Sequence, residues 1–227
     1  MIGVGTSLLF GKRAGKAGPP IPPFNEAMVD AWFMSGLSNA DKPSSIRGIK
    51  GNEMQLKNFV FTSESGFGEG SYEGALVFDG VDDYGICNNL PILDDYTVIC
   101  KREIINEDYY SIASKSTAFG KGAFIFEAIQ SRTNHCYSFA ADNKINLYNS
   151  EISWQTKNSY NGSTITVGNG EDTDTLTLGI IRAGDESRRF LQGAIYYFAL
   201  YNKSLTPEKI ETEKERLNEE WLKRKTE

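Results

Sequence analysis

Three carboxylates fall within five positions at Asp79, Asp82 and Asp83, in the run Phe78-Asp-Gly-Val-Asp-Asp-Tyr84. A loop that concentrates carboxylate oxygens in this way can hold a hard cation such as calcium, and aspartates at such spacing also form turns. An EF-hand spacing is absent, so both readings stay open. The single histidine, His135, adjoins Cys136. Neighbours on a strand point to opposite faces, which places that pair poorly for nucleophilic chemistry. Three cysteines (Cys87, Cys100, Cys136) and one histidine do not make a zinc framework. Dispersed through distant apolar segments, they read as buried free thiols, with one disulfide and a spare as the alternative. Gly66-Phe-Gly-Glu-Gly70 and Gly120-Lys-Gly122 are glycine-rich but lack the lysine spacing of a phosphate loop.

The elements that must position these residues are short strands. From Glu26 to Asn202, apolar runs alternate with Gly, Asn, Asp and Ser clusters about every ten residues, the rhythm of an antiparallel sandwich. Residues 75–78 lead into the Asp79-Gly80 turn signal. Val77 and Phe78 then point to opposite faces, and Tyr84 returns an aromatic to the next strand. Further strands are expected at 96–100 (with 104–105 as an extension), 122–129, 136–139, 145–148, 164–167, 175–180 and 191–201. No helical stretch separates them, which excludes a parallel α/β sheet and most nucleotide-binding folds. One helix is predicted over 205–225. Thr206 is its N-cap, Pro207 its first residue, and Lys223, Arg224 and Lys225 suit its end. Its apolar stripe is thin: Ile210, Leu217, Trp221 and Leu222. Such a helix either packs on the sandwich or projects, with Trp221, towards a neighbouring chain.

The chain has 227 residues, 24 of them basic and 30 acidic, for a formal charge of −6. That length suits one large all-β domain. An acidic chain without a basic run is unsuited to phosphate-backbone binding, so no nucleic-acid partner is expected. No stretch approaches the roughly 18 apolar residues of a membrane span, so no membrane contact is expected. The charge is unevenly distributed. Residues 1–24 contain Lys12, Arg13 and Lys16 and no acid (+3), while the remainder is −9. Five glycines and four prolines in the same segment predict a flexible, extended arm. Three parts follow: arm 1–24, sandwich 25–204 and charged helix 205–227. The apolar stretch 2–10 precedes the basic residues, the reverse of a secretory signal, so no signal peptide is expected. The arm reads either as a disordered tail or as a segment ordering against another subunit through Ile2, Val4, Leu8, Leu9 and Phe10.

Gly74-Ala-Leu-Val-Phe-Asp-Gly-Val-Asp-Asp-Tyr84 resembles the first-strand signature of laminin G-like jelly rolls in the concanavalin A-like lectin/glucanase superfamily. About 100 residues on, Leu176-Thr-Leu-Gly179, Phe190-Leu-Gln-Gly-Ala-Ile-Tyr-Tyr-Phe-Ala-Leu-Tyr-Asn202 and Leu205-Thr-Pro-Glu208 are similar to that family's closing strands and helix start. The lead-in resembles jelly-roll proteins of phages and prophages of gut bacteria. It comprises Trp32-Phe-Met-Ser-Gly-Leu-Ser-Asn-Ala-Asp41, Asn52-Glu-Met-Gln-Leu-Lys-Asn-Phe59 and Ser65-Gly-Phe-Gly68, and Leu37-Ser38 departs from the usual text. The resemblance spans about residues 26–215.

It implies an all-β, antiparallel jelly-roll sandwich of concanavalin A-like type. It also implies a virion structural or appendage protein (head or tail decoration, fibre or adhesin component) assembled in the host cytoplasm. Such a protein would meet other virion proteins through its arm, sit in an oligomeric assembly and grip bacterial surface glycans; a stand-alone lectin-type module is the alternative. Sugar sites on such folds stack rings on exposed aromatics, which makes Tyr109, Tyr110, Trp154 and Tyr160 the candidates. Calcium, which some relatives bind, is the one cofactor to test, at Asp79, Asp82 and Asp83. Retaining glucanases of the superfamily carry E-x-D-x-x-E along one strand. Here Glu107-Asp108, Glu171-Asp172-Thr-Asp174 and Asp185-Glu186 do not alternate in that way, and no G-x-S-x-G accompanies His135. Catalysis is not expected.

Overall fold

The computed structural model describes residues 23–105, 110–116, 124–129, 135–137, 144–146, 151–165, 172–183 and 186–227. The arm anchors Ile2, Val4, Leu8, Leu9 and Phe10 lie outside these residues, as does Tyr109. In chain order the strands begin with β1 (Met28–Phe33), β2 (Ser45–Arg47), β3 (Glu53–Lys57), β4 (Gly66–Phe67), β5 (Leu76–Asp79) and β6 (Tyr84–Cys87). They continue with β7 (Thr97–Ile104), β8 (Ser111–Lys115), β9 (Phe124–Ile129), β10 (His135–Tyr137), β11 (Lys144–Asn146) and β12 (Ile152–Thr156). The last are β13 (Ser159–Tyr160), β14 (Ser163–Thr164), β15 (Leu176–Leu178), β16 (Ile181–Ala183), β17 (Glu186–Arg188) and β18 (Gln192–Tyr201), followed by the helix α1 (Pro207–Thr226).

Two antiparallel sheets form a sandwich. The first runs β14-β13-β12-β7-β18-β5-β4, and the second β11-β10-β9-β8-β15-β6-β3-β2. β18 organises the first sheet. One of its edges pairs with β7 from Gly193 to Tyr201; the other is shared, with β5 on Gln192 to Ile195 and β1 on Tyr197 to Tyr201. Between the sheets lies the main core, with Trp32, Phe78, Phe198 and Leu200 from the first sheet and Met54, Leu56, Phe124 and Phe126 from the second. Val77 and Phe78 do face opposite ways: Phe78 joins this core, and Val77 joins a separate apolar cluster on the outer side of the first sheet.

That outer cluster exists because β18 breaks its own alternation. The pairing with β7 slips between Ile195 and Tyr197, leaving Tyr196 as an inserted residue. A bulge of this kind puts two consecutive side chains on one face. Tyr196 and Tyr197 both face outward, whereas Ile195 and Phe198 flank them in the inner core. The helix lies over them and buries Ile210, Glu213, Leu217 and Trp221, while Leu222 is 47% exposed. Trp221 was expected among the partner-contacting anchors. It docks on its own sheet instead: its indole donates to the Gly74 carbonyl (2.9 Å) and its ring meets Tyr196 edge-on at 5.4 Å. Gly74 has φ +83°, and a Cβ there would come within 3.2 Å of the indole, so only glycine lets the helix sit this close.

Polar groups complete the helix seam. The Glu213 carboxylate, 1% exposed, accepts from the Tyr201 hydroxyl (3.0 Å) and the Asn25 amide (3.3 Å) and pairs with Arg216 (2.5 Å). Burial, together with the Glu213 charge, holds the Tyr201 phenol far above its ordinary pKa, so it remains a donor. Lys101 reaches Glu151 (2.6 Å) and Asn218 (3.1 Å), with Nζ 4.0 Å from the Trp221 ring centre.

Two further buried carboxylates fix loops. Asp172 pairs with the fully buried Lys115 (2.6 Å) and accepts from the Leu93 amide (2.6 Å), tying two loops to the end of β8. Asp30, fully buried, accepts from the amides of Ala31 (2.8 Å), Lys50 (2.8 Å) and Asn52 (2.9 Å) and from the Asn52 side chain (2.8 Å). A Cβ at Gly48 would lie 2.3 Å from the Asp30 carboxylate, so the turn joining β2 to β3 can close over it only with glycine there. Asp30→Ala removes one acceptor from four donors. With each stranded buried donor costing about 1–3 kcal/mol, and some regaining water, a loss of about 3 kcal/mol is expected. Urea unfolding should show a lower midpoint at unchanged slope; a loss under about 1 kcal/mol would mean that water replaces the carboxylate.

Candidate functional site

The aromatics expected to stack on ligands are mostly spent on packing. Tyr110 is 1% exposed and Tyr160 0%, both in the inner core, where Tyr160 packs on Phe126 at 6.3 Å. Trp154, 9% exposed, belongs to the outer cluster of the first sheet. None of the three offers an open ring face. The reason is pairing: β12 and β13 are inner members of the first sheet, so segments that read as loop-proximal are enclosed.

Asp79, Asp82 and Asp83 do come together, with ligand atoms within 4.8 Å of one another. Three of their six oxygens, one on Asp79 and both on Asp83, accept hydrogen bonds from the chain itself. Asp79 Oδ1 accepts from the amides of Val81 (2.7 Å) and Asp82 (3.4 Å), closing the turn. Asp83, fully buried, accepts from the Ser65 hydroxyl (3.0 Å) and the Asp79 amide (3.1 Å). A calcium ion takes six to eight oxygens; with three of the six carboxylate oxygens already accepting from the Ser65 hydroxyl and the turn amides, the turn-forming reading fits better. Burial pushes the Asp83 carboxyl up to about 6, against the lowering effect of those two hydrogen bonds and with help from the neighbouring carboxylates. Cys87 and Cys100 are free and buried, and burial pushes the Cys87 thiol up to about 12, leaving it protonated and inert. The side chain of Cys136 lies outside the described residues.

The outer faces of the two sheets differ. The first is covered by the helix. The second is exposed along β2 and β3, whereas Ile86 on β6 and Thr177 on β15 are buried beside them. Met54 and Leu56 point into the core, and the intervening Glu53 and Gln55 are exposed with Lys57 half-buried beside them. Register extends this face across the sheet: Lys57 lies opposite Tyr84, Gln55 opposite both Ser45 and Ile86, and Glu53 opposite Arg47. Cross-strand partners stand about 5 Å apart and successive rows about 7 Å. The result is a shallow platform with one half-buried phenol ring, an amide and charged groups around it. Asn88 accepts a hydrogen bond from Thr175 at its margin (3.1 Å). These residues escaped sequence reading. The alternation Glu53-Met-Gln-Leu-Lys57 was available as a signal, but its pairing with Tyr84 is set only by the sheet.

A second concavity, a cleft of about 290 Å³, is lined by Leu37, Ser38, Asn39, Phe67, Glu69 and Glu73 among others. The Asn39 side chain pairs with both backbone groups of Phe67 (2.8 and 2.7 Å), closing the free edge of β4. Phe67 is only 3% exposed, so the cleft presents no ring for stacking. Among the described residues, no helix is long and apolar enough to cross a membrane.

No protein-family model and no curated protein matches the chain. Solved structures do. Trypanosoma rangeli sialidase in complex with sialic acid superposes with a TM-score of 0.55 at 14% identity, over 86% of this chain and 33% of that one. The same enzyme in complex with a difluoro-KDN gives 0.56 at 13%, over 87% and 33%. Botulinum neurotoxin type C, whose cell entry is described as dependent upon interaction with two ganglioside molecules, gives 0.50 at 13%, over 81% and 50%. The chain thus spans about a third of the sialidase and half of the neurotoxin chain. At such identities the likeness is one of fold: the two-sheet antiparallel sandwich.

Asp83 generates a pH signature. Its folded-state pKa lies above the unfolded value of about 3.8, so the native state binds the extra proton between about pH 4 and 6. Its contribution therefore favours folding at low pH and is lost as pH rises through that window. Asp83→Asn should flatten the stability profile between pH 4 and 6 and raise the melting temperature at pH 7.5. A variant that melts in parallel with the wild type across this range would show that Asp83 titrates normally.

Proposed function

We propose that this chain is a non-catalytic, lectin-type sandwich that binds surface glycans, carried as a virion appendage and held there by its N-terminal arm. The observation that carries the glycan reading is the asymmetry of the two outer faces. One is covered by a helix; the other is exposed along β2 and β3 and bears the half-buried Tyr84 beside Gln55, Lys57, Glu53 and Arg47. A ring beside amide and charged side chains is what a saccharide needs, since its apolar face stacks and its hydroxyls take hydrogen bonds. Two proteins of the same fold are described with sugar ligands, sialic acid and gangliosides. The sialidase ligand belongs to a chain of which the matched part is 33%, so these parallels support the class of ligand and no particular residue.

The non-catalytic part of the reading rests on the use of the acids. Asp30, Asp83, Asp172 and Glu213 are committed to internal amides, hydroxyls and cations. On the open face, Glu53 is the one carboxylate among the described residues, whereas glycoside cleavage employs a pair. The virion part rests on the +3 arm joined to a −9 body and on the phage-like lead-in sequence.

Two experiments test the proposal. On an array of bacterial surface polysaccharides, the wild type should bind a subset and Tyr84→Ala should lose at least tenfold in affinity, with calcium making no difference. Absence of binding leaves the structural role alone, and calcium-dependent binding returns Asp79, Asp82 and Asp83 to the site. Deleting residues 1–22 should leave a folded domain that no longer enters particles; normal incorporation refutes anchoring by the arm.

A further inference from the structure

Lys57 is a cation without a counter-ion. Half-buried beside Tyr84, it makes no ion pair, hydrogen bond or ring contact among the described residues. Other enclosed cations are matched: Lys101 with Glu151, Lys115 with Asp172, Arg216 with Glu213 and Arg224 with Glu220. In a chain with 30 acids against 24 bases, a partly enclosed ammonium left unpaired next to the one aromatic of the platform calls for an anion from outside. Arg47, two rows away on the same face, is likewise unpaired; the Glu53 opposite it is engaged by the Ser45 hydroxyl (2.8 Å). The platform therefore carries two free cations and one occupied carboxylate.

We propose that the open face takes an acidic saccharide, one bearing a carboxylate or sulfate group. This inference rests on the glycan-binding reading and narrows it to a ligand class. The sugar ring lies on Tyr84, its acidic group meets Lys57, and Gln55 takes hydroxyls from the row between Lys57 and Arg47. Arg47 meets the acidic group of a following residue, about two rows or 14 Å along the strands. A charge-assisted contact of this kind is stronger than one between neutral groups. The net charge of the chain adds selectivity. An overall charge of −6 disfavours a polyanion, and on the strands of this face Lys57 and Arg47 outnumber Glu53.

The test uses the full chain and three sets of purified oligosaccharides of matched length: neutral, uronic- or sialic-acid-containing, and sulfated. Affinities are read at 50 and 300 mM salt for the wild type, Lys57→Ala, Lys57→Arg and Tyr84→Ala, with melting temperatures confirming that each variant is folded. The expected result is binding of one or both acidic sets, weakened at high salt. Lys57→Ala should lose about tenfold on acidic ligands, Lys57→Arg should retain most of the affinity, and Tyr84→Ala should lose about tenfold. Binding of neutral oligosaccharides unaffected by Lys57→Ala overturns the acidic class while leaving the glycan-binding module intact. Acidic binding that survives Tyr84→Ala is ion exchange and also overturns it. No binding of any set by the wild type refutes the module itself.

Discussion

The single inserted residue in β18 sets the character of both faces of the molecule. With regular alternation, Tyr196 and Tyr197 would point to opposite sides, and the outer face of the first sheet would be only partly apolar. The slip in register turns both rings outward. Two tyrosines with Phe33, Val77 and Ile99 make a surface too apolar to leave in water, and the C-terminal helix covers it. The thin apolar stripe of that helix is sufficient because the sheet supplies most of the apolar area. Glu213, Lys101 and Trp221 then fix its position through polar and ring contacts. One sheet is thereby closed from outside. The other keeps exposed strand surface along β2 and β3.

Much of this architecture was legible in the sequence, and the reasons differ by element. The strands at Leu76–Asp79, Thr97–Ile104 and Gln192–Tyr201 announce themselves because they are buried on both faces and read as apolar runs. The helix start is written locally in Thr206-Pro207-Glu208, although Thr206 makes no side-chain capping bond. By contrast, β12 (Ile-Ser-Trp-Gln-Thr) and β8 (Ser-Ile-Ala-Ser-Lys) are missing from the expected strands. Their buried Ser153, Gln155, Ser111, Ser114 and Lys115 look like loop residues until the network that satisfies them is known: Ser114 with Thr177, Gln155 with Tyr96, Lys115 with Asp172. Polar strands of this sort are held by long-range partners, and no local pattern reveals them.

The candidate site was less legible for the same reason. A half-exposed aromatic cannot be told from a core aromatic by type or by nearby turn residues, so Tyr110, Trp154 and Tyr160 stand out in the sequence while Tyr84 reads only as the aromatic that opens the next strand. What distinguishes Tyr84 is that its strand lies between β15 and β3 with its ring on the side no helix covers. The aspartate cluster shows the converse. Its residues were correctly grouped by sequence, since three acids in five positions must lie close. Yet which way their oxygens point is decided by Ser65 and by the turn amides, which come from the folded loop.

The acids and bases of this protein divide into two populations, and that division gives the open face its meaning. The carboxylates of Asp30, Asp83, Asp172 and Glu213 are enclosed and bonded by donors from other segments, so each acts as a fastener between segments. Groups of this kind contribute order rather than chemistry, because they are enclosed and already held by internal donors. Lys57 and Arg47 are the opposite: charged, on a strand scaffold, and with no partner among the described residues. Strand positions hold such groups in fixed relative places, row by row, which a mobile loop does not. A binding surface built in this way needs few residues. On the proposed reading its specificity comes from the spacing imposed by the sheet, which follows from the register that joins β2, β3 and β6.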